Sequence, residues 1–127
     1  MDATAKAAPK PLIWVGDSLE AVRGFPAEVK DELGVALFQA QLGGKHIKAK
    51  PLQHIGSGIL EVVSDHRGDT YRAVYTVRLA GRVYVLHAFQ NKSKSRVATP
   101  KVEIDLVKQR LKRAIELHNE GEKQQHG

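Results

Sequence analysis

The chain has 127 residues, a formal net charge of +6 and no cysteine. The length suits one domain, and the lack of cysteine excludes disulfides and thiolate metal sites. No apolar run approaches the roughly 20 residues that span a bilayer, and residues 1–11 lack the apolar stretch of a signal peptide. We therefore expect a soluble cytoplasmic protein.

The positive charge is concentrated between residues 92 and 113. Eight lysines and arginines fall there against Glu103 and Asp105, so the surplus (eight minus two) equals the net charge of the whole chain. Localised charge of this kind indicates a polyanionic partner. An ordinary solvated helix face would have the same composition, so charge alone leaves both readings open.

The first elements predict a leader, a strand and a short helix. Residues 1–11, rich in Ala, Lys and Pro, predict a disordered leader. Residues 12–15 are apolar and predict a strand. Asp17 stands three residues before Glu20, the spacing of a capping box, and predicts a helix that ends at Gly24.

Pro26 suits the first turn of a second helix. Apolar residues follow at helical spacing until the glycines at 43–44, and they predict a core-facing stripe: Val29, Leu33, Ala36, Leu37 and Ala40. Residues 45–58 predict a linker with three exposed lysines: Lys45, Lys48 and Lys50.

Three strands are predicted next, over residues 59–64, 70–78 and 82–90. The segment from Asp65 to Asp69, with Gly68, predicts the first turn, and Ala80-Gly81 predicts a tight hairpin. On the middle strand, alternation places Tyr71, Ala73, Tyr75 and Val77 on one face. The other face, which we expect to be open, carries Arg72, Val74, Thr76 and Arg78.

Thr99 and Pro100 predict the start of a last helix. Its apolar stripe consists of Ile104, Val107, Leu111, Ala114 and Ile115. The order β-α-α-β-β-β-α predicts an α+β domain over residues 12–119, with a twisted, mainly antiparallel sheet, a helix hairpin on one face and a C-terminal helix. Residues 120–127 are polar and predict a frayed tail.

The run from strand to basic helix resembles a known family. TYRAVYTV at residues 70–77 and VYVLHAFQNKSKSRVATP at residues 83–100, followed by a basic helix, are similar to the RelE/ParE toxin superfamily, in particular its phage-derived HigB-like branch. The resemblance covers residues 12–118. It implies the toxin of a type II toxin–antitoxin system, a ribosome-dependent endoribonuclease that cuts messenger RNA without metal or cofactor. Its implied partners are an antitoxin protein, the ribosome and messenger RNA, with no membrane.

The resemblance also implies site residues. Arg72 matches the strand arginine of the family, and a guanidinium can bind a phosphate with two hydrogen bonds. The alternative is an arginine paired with Glu61 or Asp69. Lys92 and Lys94 match the cationic loop that follows the last strand, although an ordinary solvated loop would look the same.

The general base and acid are less obvious, because the lysines and the late tyrosine of better-known RelE toxins have no counterpart here. His66 and His87 are the candidate replacements, since histidine as a residue type titrates near neutrality. The alternatives are a solvated turn residue for His66 and a buried, hydrogen-bonded residue for His87. Six further cations are candidates for RNA contact: Arg67, Arg78, Arg96, Lys101, Lys108 and Lys112.

Two other functions remain open. The missing lysines and tyrosine would suit a non-nuclease toxin of the ParE branch, which acts on DNA gyrase. A nucleic-acid-binding module without catalysis would use the same basic surface. A zinc site at His46 and His54 is not expected, because no third ligand is near in the sequence.

Overall fold

The computed structural model of the chain describes residues 8–91 and 98–126, so most of the expected leader and the Lys92–Arg96 loop lie outside it. It contains, in chain order, β1 (Leu12–Trp14), α1 (Ser18–Arg23), α2 (Ala27–Gln41), β2 (Ala49–Pro51), β3 (Ile59–His66), β4 (Asp69–Thr76), β5 (Val83–Asn91) and α3 (Lys101–His126). The predicted α+β class and order are confirmed, with β2 as an added strand. Within these residues, no helix is both long and apolar enough to cross a membrane.

The five strands form one mixed sheet in the order β1-β5-β4-β3-β2. β1 pairs parallel to β5, and the other neighbours pair antiparallel. A mainly antiparallel sheet is therefore confirmed. The β3–β4 hairpin closes at Arg67-Gly68, both with positive φ, 52° and 86°. A two-residue hairpin loop needs a positive φ at both of its residues if its twist is to match the twist of the flanking strands.

Strand β2 lies within the segment that the sequence predicts to be a linker. Its three residues, Ala-Lys-Pro, have no alternating pattern, and they pair with β3 from Ala49 opposite Val62 to Pro51 opposite Leu60. A proline is tolerated there because β2 is an edge strand. Just before it, Lys48 Nζ lies 2.6 Å from Glu32 of α2. Burial acts to raise the pKa of Glu32, but hydrogen bonds from Lys48 and Ser64 bring that pKa below its ordinary value.

Both faces of the sheet are covered, so the prediction of an open face is wrong. α1 and α2 pack on one face, and the α2 stripe is buried as predicted: Val29, Leu33, Ala36, Leu37 and Ala40. α3 packs on the other face through Val107 and Ala114, with Ile104 and Leu111 beside them. This second core includes Val74 and Tyr84, which strand alternation directs away from α2. Arg72, on the same face as Val74, is consequently buried beneath the start of α3 rather than exposed.

A β-bulge changes the alternation of β5. The register with β4 shifts between Val74 and Tyr75, which face His87 and Val85 respectively, so that Leu86 is the extra residue. A bulge makes two consecutive side chains point to the same side. Leu86 and His87 therefore both face α3. Strict alternation along β5 would instead place these two consecutive residues on opposite faces of the sheet.

The polar residues that precede α1 and α3 make contacts other than the predicted helix caps. Asp17 precedes α1 as expected, but its side chain makes no capping hydrogen bond, and its carboxylate lies 2.7 Å from Arg110 Nη2 of α3 instead. The first backbone hydrogen bonds of α3 go to the carbonyl of Pro100. The Thr99 hydroxyl is bonded to Glu61 and Arg72. α3 continues to His126, past the domain end that we expected at residue 119.

The loop between β2 and β3 depends on Gly58. Its φ is +79°, and a Cβ added there would lie 2.7 Å from Cβ of Arg78. We expect Gly58→Ala to lower the free energy of unfolding by about 1–3 kcal/mol, because the substitution adds both backbone strain and a clash. Urea denaturation of dilute protein measures the change.

Gly34→Ala is the matched control. Gly34 lies inside α2 with no atom within 4 Å of its added Cβ. An alanine there is expected to stabilise the helix by about 0.5–1 kcal/mol. Equal destabilisation by both substitutions would contradict the special role of Gly58.

Candidate functional site

A cleft lies between the β2–β3 loop and the start of α3. It has a volume of about 310 Å³, and an adjoining cavity of about 370 Å³ extends it along α3. Both spaces are lined by four residues that join them into one groove: His54, Ala98, Thr99 and Ile104. We call the whole feature the cleft.

The floor of the cleft holds a buried ion pair. Arg72 Nη1 donates to Glu61 Oε1 at 3.1 Å and to the Thr99 hydroxyl at 3.1 Å, and that hydroxyl donates to the other oxygen of Glu61. Arg72 and Glu61 are only 2% and 4% exposed. The three side chains are bonded to one another, and we call them the floor triad. The structure thus contains the Glu61 pairing that the sequence left open as an alternative, and it also brings Arg72 to the cleft floor.

The rim of the cleft is mainly basic. Lys50 and Gln53 lie on the β2 side, and Lys101 and Lys108 lie on the α3 side. Asp105 offsets part of this charge, since its carboxylate lies 3.0 Å from Lys101 Nζ. Lys101, Lys108 and Lys112 are exposed on α3, and their spacing of seven and four residues puts them on one stripe of the helix. Two of the three therefore line the cleft, with Lys112 one turn further along.

His54 is the cleft residue that the sequence analysis missed. It is exposed at the rim and has φ 69°, a left-handed conformation that is uncommon for any residue other than glycine. Residues held in such conformations concentrate at functional sites. In the sequence we weighed His54 only as a zinc ligand. Its place between Pro51 and the glycines at 56 and 58 was the available signal of an unusual turn.

His87, a predicted catalytic residue, lies under α3 and does not line the cleft. Arg110 Nη1 donates to its Nδ1 at 3.2 Å, so Nε2 carries the proton and donates to Glu103 at 2.7 Å. The ring also stacks on Phe89 at 5.0 Å between centroids. The structure therefore favours the alternative of a buried, hydrogen-bonded histidine that holds α3 to β5.

The other predicted residues are scattered. His66 ends β3 on the α2 face, 3.7 Å from Glu28, so it lies on the opposite side of the sheet from Arg72. Arg67 is exposed in the adjacent turn. Arg78 packs over Gly58 beyond the end of β4. Three further residues fall outside the described part of the chain: Lys92, Lys94 and Arg96. Among the described residues, no group of three or more His, Asp or Glu side chains is placed to hold a metal ion.

The buried pair generates a stability prediction. Arg72→Met leaves the Glu61 carboxylate buried without its guanidinium, so we expect a loss of about 3–5 kcal/mol in the free energy of unfolding. The double variant Arg72→Met/Glu61→Leu removes both charges and should recover most of that loss. Urea denaturation measures both, and a double variant as unstable as the single one would contradict the dependence on charge pairing.

Comparison with known proteins gives one family. Proteins described as phage-derived and Gp49-like match residues 20–112. A double-arginine mutant of the E. coli toxin RelE, solved in the free state, is similar at 18% identity and a TM-score of 0.49, over 64% of this chain and 82% of that one. The toxin–antitoxin complex RelBE2 from Mycobacterium tuberculosis is similar at 17% identity and a TM-score of 0.46, over 69% of this chain and 98% of that one. The comparison with curated proteins finds no match.

Proposed function

The chain belongs to the phage-derived Gp49-like family, and from this premise we propose that it is the toxin of a toxin–antitoxin pair that cuts messenger RNA on the ribosome. The observation that carries the proposal is the cleft. Its floor holds the buried pair of Arg72 and Glu61 in a space of about 310 Å³, and its rim carries Lys50 there and Lys101 and Lys108 beside the adjoining cavity. The resemblance of residues 70–77 and 83–100 to RelE-type toxins supplies the reaction class.

The rim charge suits the backbone of a single RNA strand. Lys50, Lys101 and Lys108 stand on both sides of the cleft, so a strand lying along it would meet a cation on either side. Binding of this kind depends on phosphate charge rather than on base sequence. Selection of a messenger codon would then come from the ribosome, which holds the strand in place and supplies the positioning that the small cleft does not.

The reaction needs one base, one acid and cations at the phosphate. The 2′-oxygen attacks the adjacent phosphorus, the bond from phosphorus to the 5′-oxygen breaks, and the products are a 2′,3′-cyclic phosphate and a 5′-hydroxyl. The base accepts the 2′-hydroxyl proton and the acid gives a proton to the 5′-oxygen. Cationic groups stabilise the charge that develops on the phosphoryl oxygens.

The cleft offers a residue for each of two roles. His54 at the rim is an imidazole that can transfer a proton, and its backbone has a left-handed conformation of the kind that concentrates at functional sites. Arg72 is held by Glu61 at the floor, so the guanidinium is positioned before the phosphate arrives. Such pre-positioning avoids a cost of reorganisation during the reaction. An antitoxin protein is the proposed partner that would block this activity.

His54 provides the direct test. We expect His54→Asn to reduce cleavage by about 10²–10⁴-fold, the usual contribution of a general acid or base, and to abolish growth arrest. Asparagine tolerates the left-handed conformation, so the loop is retained. The measurement is induced expression in a growing bacterium, with the 5′ ends of messenger RNA mapped within minutes. His46→Asn is the control, because His46 is in the same segment but does not line the cleft.

Each outcome of that experiment is informative. Undiminished cleavage by the His54 variant at equal protein level would remove His54 from the mechanism. Growth arrest by the unmodified protein with intact messages would contradict the nuclease proposal and favour the gyrase-type toxin. Absence of arrest would favour a binding module.

The rim lysines provide a second test. Removing Lys101 and Lys108 together should weaken the binding of single-stranded RNA and lower the slope of log affinity against log salt by about 1.4, since each lost contact to a single strand contributes about 0.7. The control is Lys30→Ala/Lys45→Ala, which removes the same charge from exposed positions in α2 and just after it. Equal slopes for the two double variants would show that the cleft does not bind the strand.

A further inference from the structure

The outward face of α2 carries apolar side chains that none of the described residues covers. Six large apolar side chains are exposed among the described residues, and four of them lie in one segment: Val35 at 53%, Phe38 at 49%, Leu42 at 52% and Ile47 at 93%. The first three are spaced by three and four residues, so they form one stripe on the side of α2 away from the sheet. A helix that is apolar on both sides is normally covered on both sides.

Gly34 adds an independent observation on the same face. It is exposed inside α2, and a Cβ added there would meet no atom within 4 Å. A glycine inside a helix costs about 1 kcal/mol relative to alanine, and no contact within the described part of the chain requires one here. Its effect is a shallow gap beside Val35 and Phe38, which would let another backbone approach closely.

The charges along this face are arranged with opposite signs at its two ends. Glu28 and Asp31 are exposed in the first part of α2, and Lys45 is exposed just after the helix ends. If two identical helices pack antiparallel, the acidic end of each lies against the basic end of the other. In the register that places Glu28 near Lys45, Val35 of one copy lies near Phe38 of the other, and Leu42 lies near Asp31 at the edge of the contact. The centre and the charged ends of the face are thus complementary to the same face of a second copy.

We propose that this face of α2 is where two copies of the chain associate, antiparallel and with two-fold symmetry. A two-fold interface uses the same patch on both copies, and self-complementarity is its requirement. The stripe is short, so we expect a weak dimer that forms only at high protein concentration, as is typical of interfaces that bury less than roughly 1,200 Å². Because α2 and α3 pack on opposite faces of the sheet, the cleft stays open in both copies. The inference therefore does not depend on the proposed function.

Sedimentation equilibrium tests the association. The unmodified chain should show a reversible rise from monomer to dimer mass between roughly 10 µM and 1 mM, the affinity range of small interfaces. Phe38→Glu should raise the dissociation constant at least about tenfold, as expected for a central aromatic anchor. Val102→Glu is the matched control, because Val102 is 71% exposed on α3, and it should leave the constant unchanged. Circular dichroism confirms that both variants are folded.

A cross-linking measurement identifies the surface itself. The chain has no cysteine, so Val35→Cys introduces the only thiol, close to the proposed two-fold axis. Mild oxidation should give a disulfide-linked dimer with Val35→Cys and none with Val102→Cys. A monomer at every concentration, or equal cross-linking of the two variants, would overturn the proposal. A chain that is monomeric alone but loses binding of its antitoxin through Phe38→Glu would assign the face to a different protein.

Discussion

The cleft depends on one buried ion pair. Arg72 and Glu61 are almost completely removed from solvent, so neither charge can be kept there without the other. The Thr99 hydroxyl completes the floor triad, accepting from Arg72 and donating to Glu61. Because Thr99 immediately precedes Pro100 and α3, the same contacts that compensate the buried charges also fix where α3 begins. The floor of the cleft is therefore also where the start of α3 is held against the sheet.

A second set of contacts holds α3 further along the sheet. Arg110 donates to His87 and to the carbonyl of Leu86, and it pairs with Asp17 ahead of α1. The bulge in β5 makes this possible, since it turns Leu86 and His87 to the same side. α3 is thus anchored by the floor triad at its start and by Arg110 in its middle. The space between α3 and the β2–β3 loop remains as the cleft, and α2 lies on the other face of the sheet.

Local pattern was sufficient for most of the fold. The α2 stripe, the three long strands and the basic last helix repeat their apolar residues with the period of the element that they form, and such periods can be read one segment at a time. β2 could not be read in this way, because three residues without alternation become a strand only through the neighbour that accepts their hydrogen bonds. The predicted capping box at Asp17 did not form for a related reason. The Asp17 carboxylate pairs with the guanidinium of Arg110 in α3, nearly a hundred residues away in the chain.

The sequence by itself determined the α+β class, the concentration of positive charge after residue 91 and the family resemblance, and it identified Arg72 as a candidate site residue. Only the tertiary structure decided what Arg72 faces, because a strand's alternation assigns a residue to a side without saying what covers that side. The packing of α3 across the sheet buries Arg72 with Glu61, covers His87 and makes His54 part of the cleft rim. Residue type and spacing identify candidate chemical groups, but their grouping into a site requires contacts between segments that are distant in sequence.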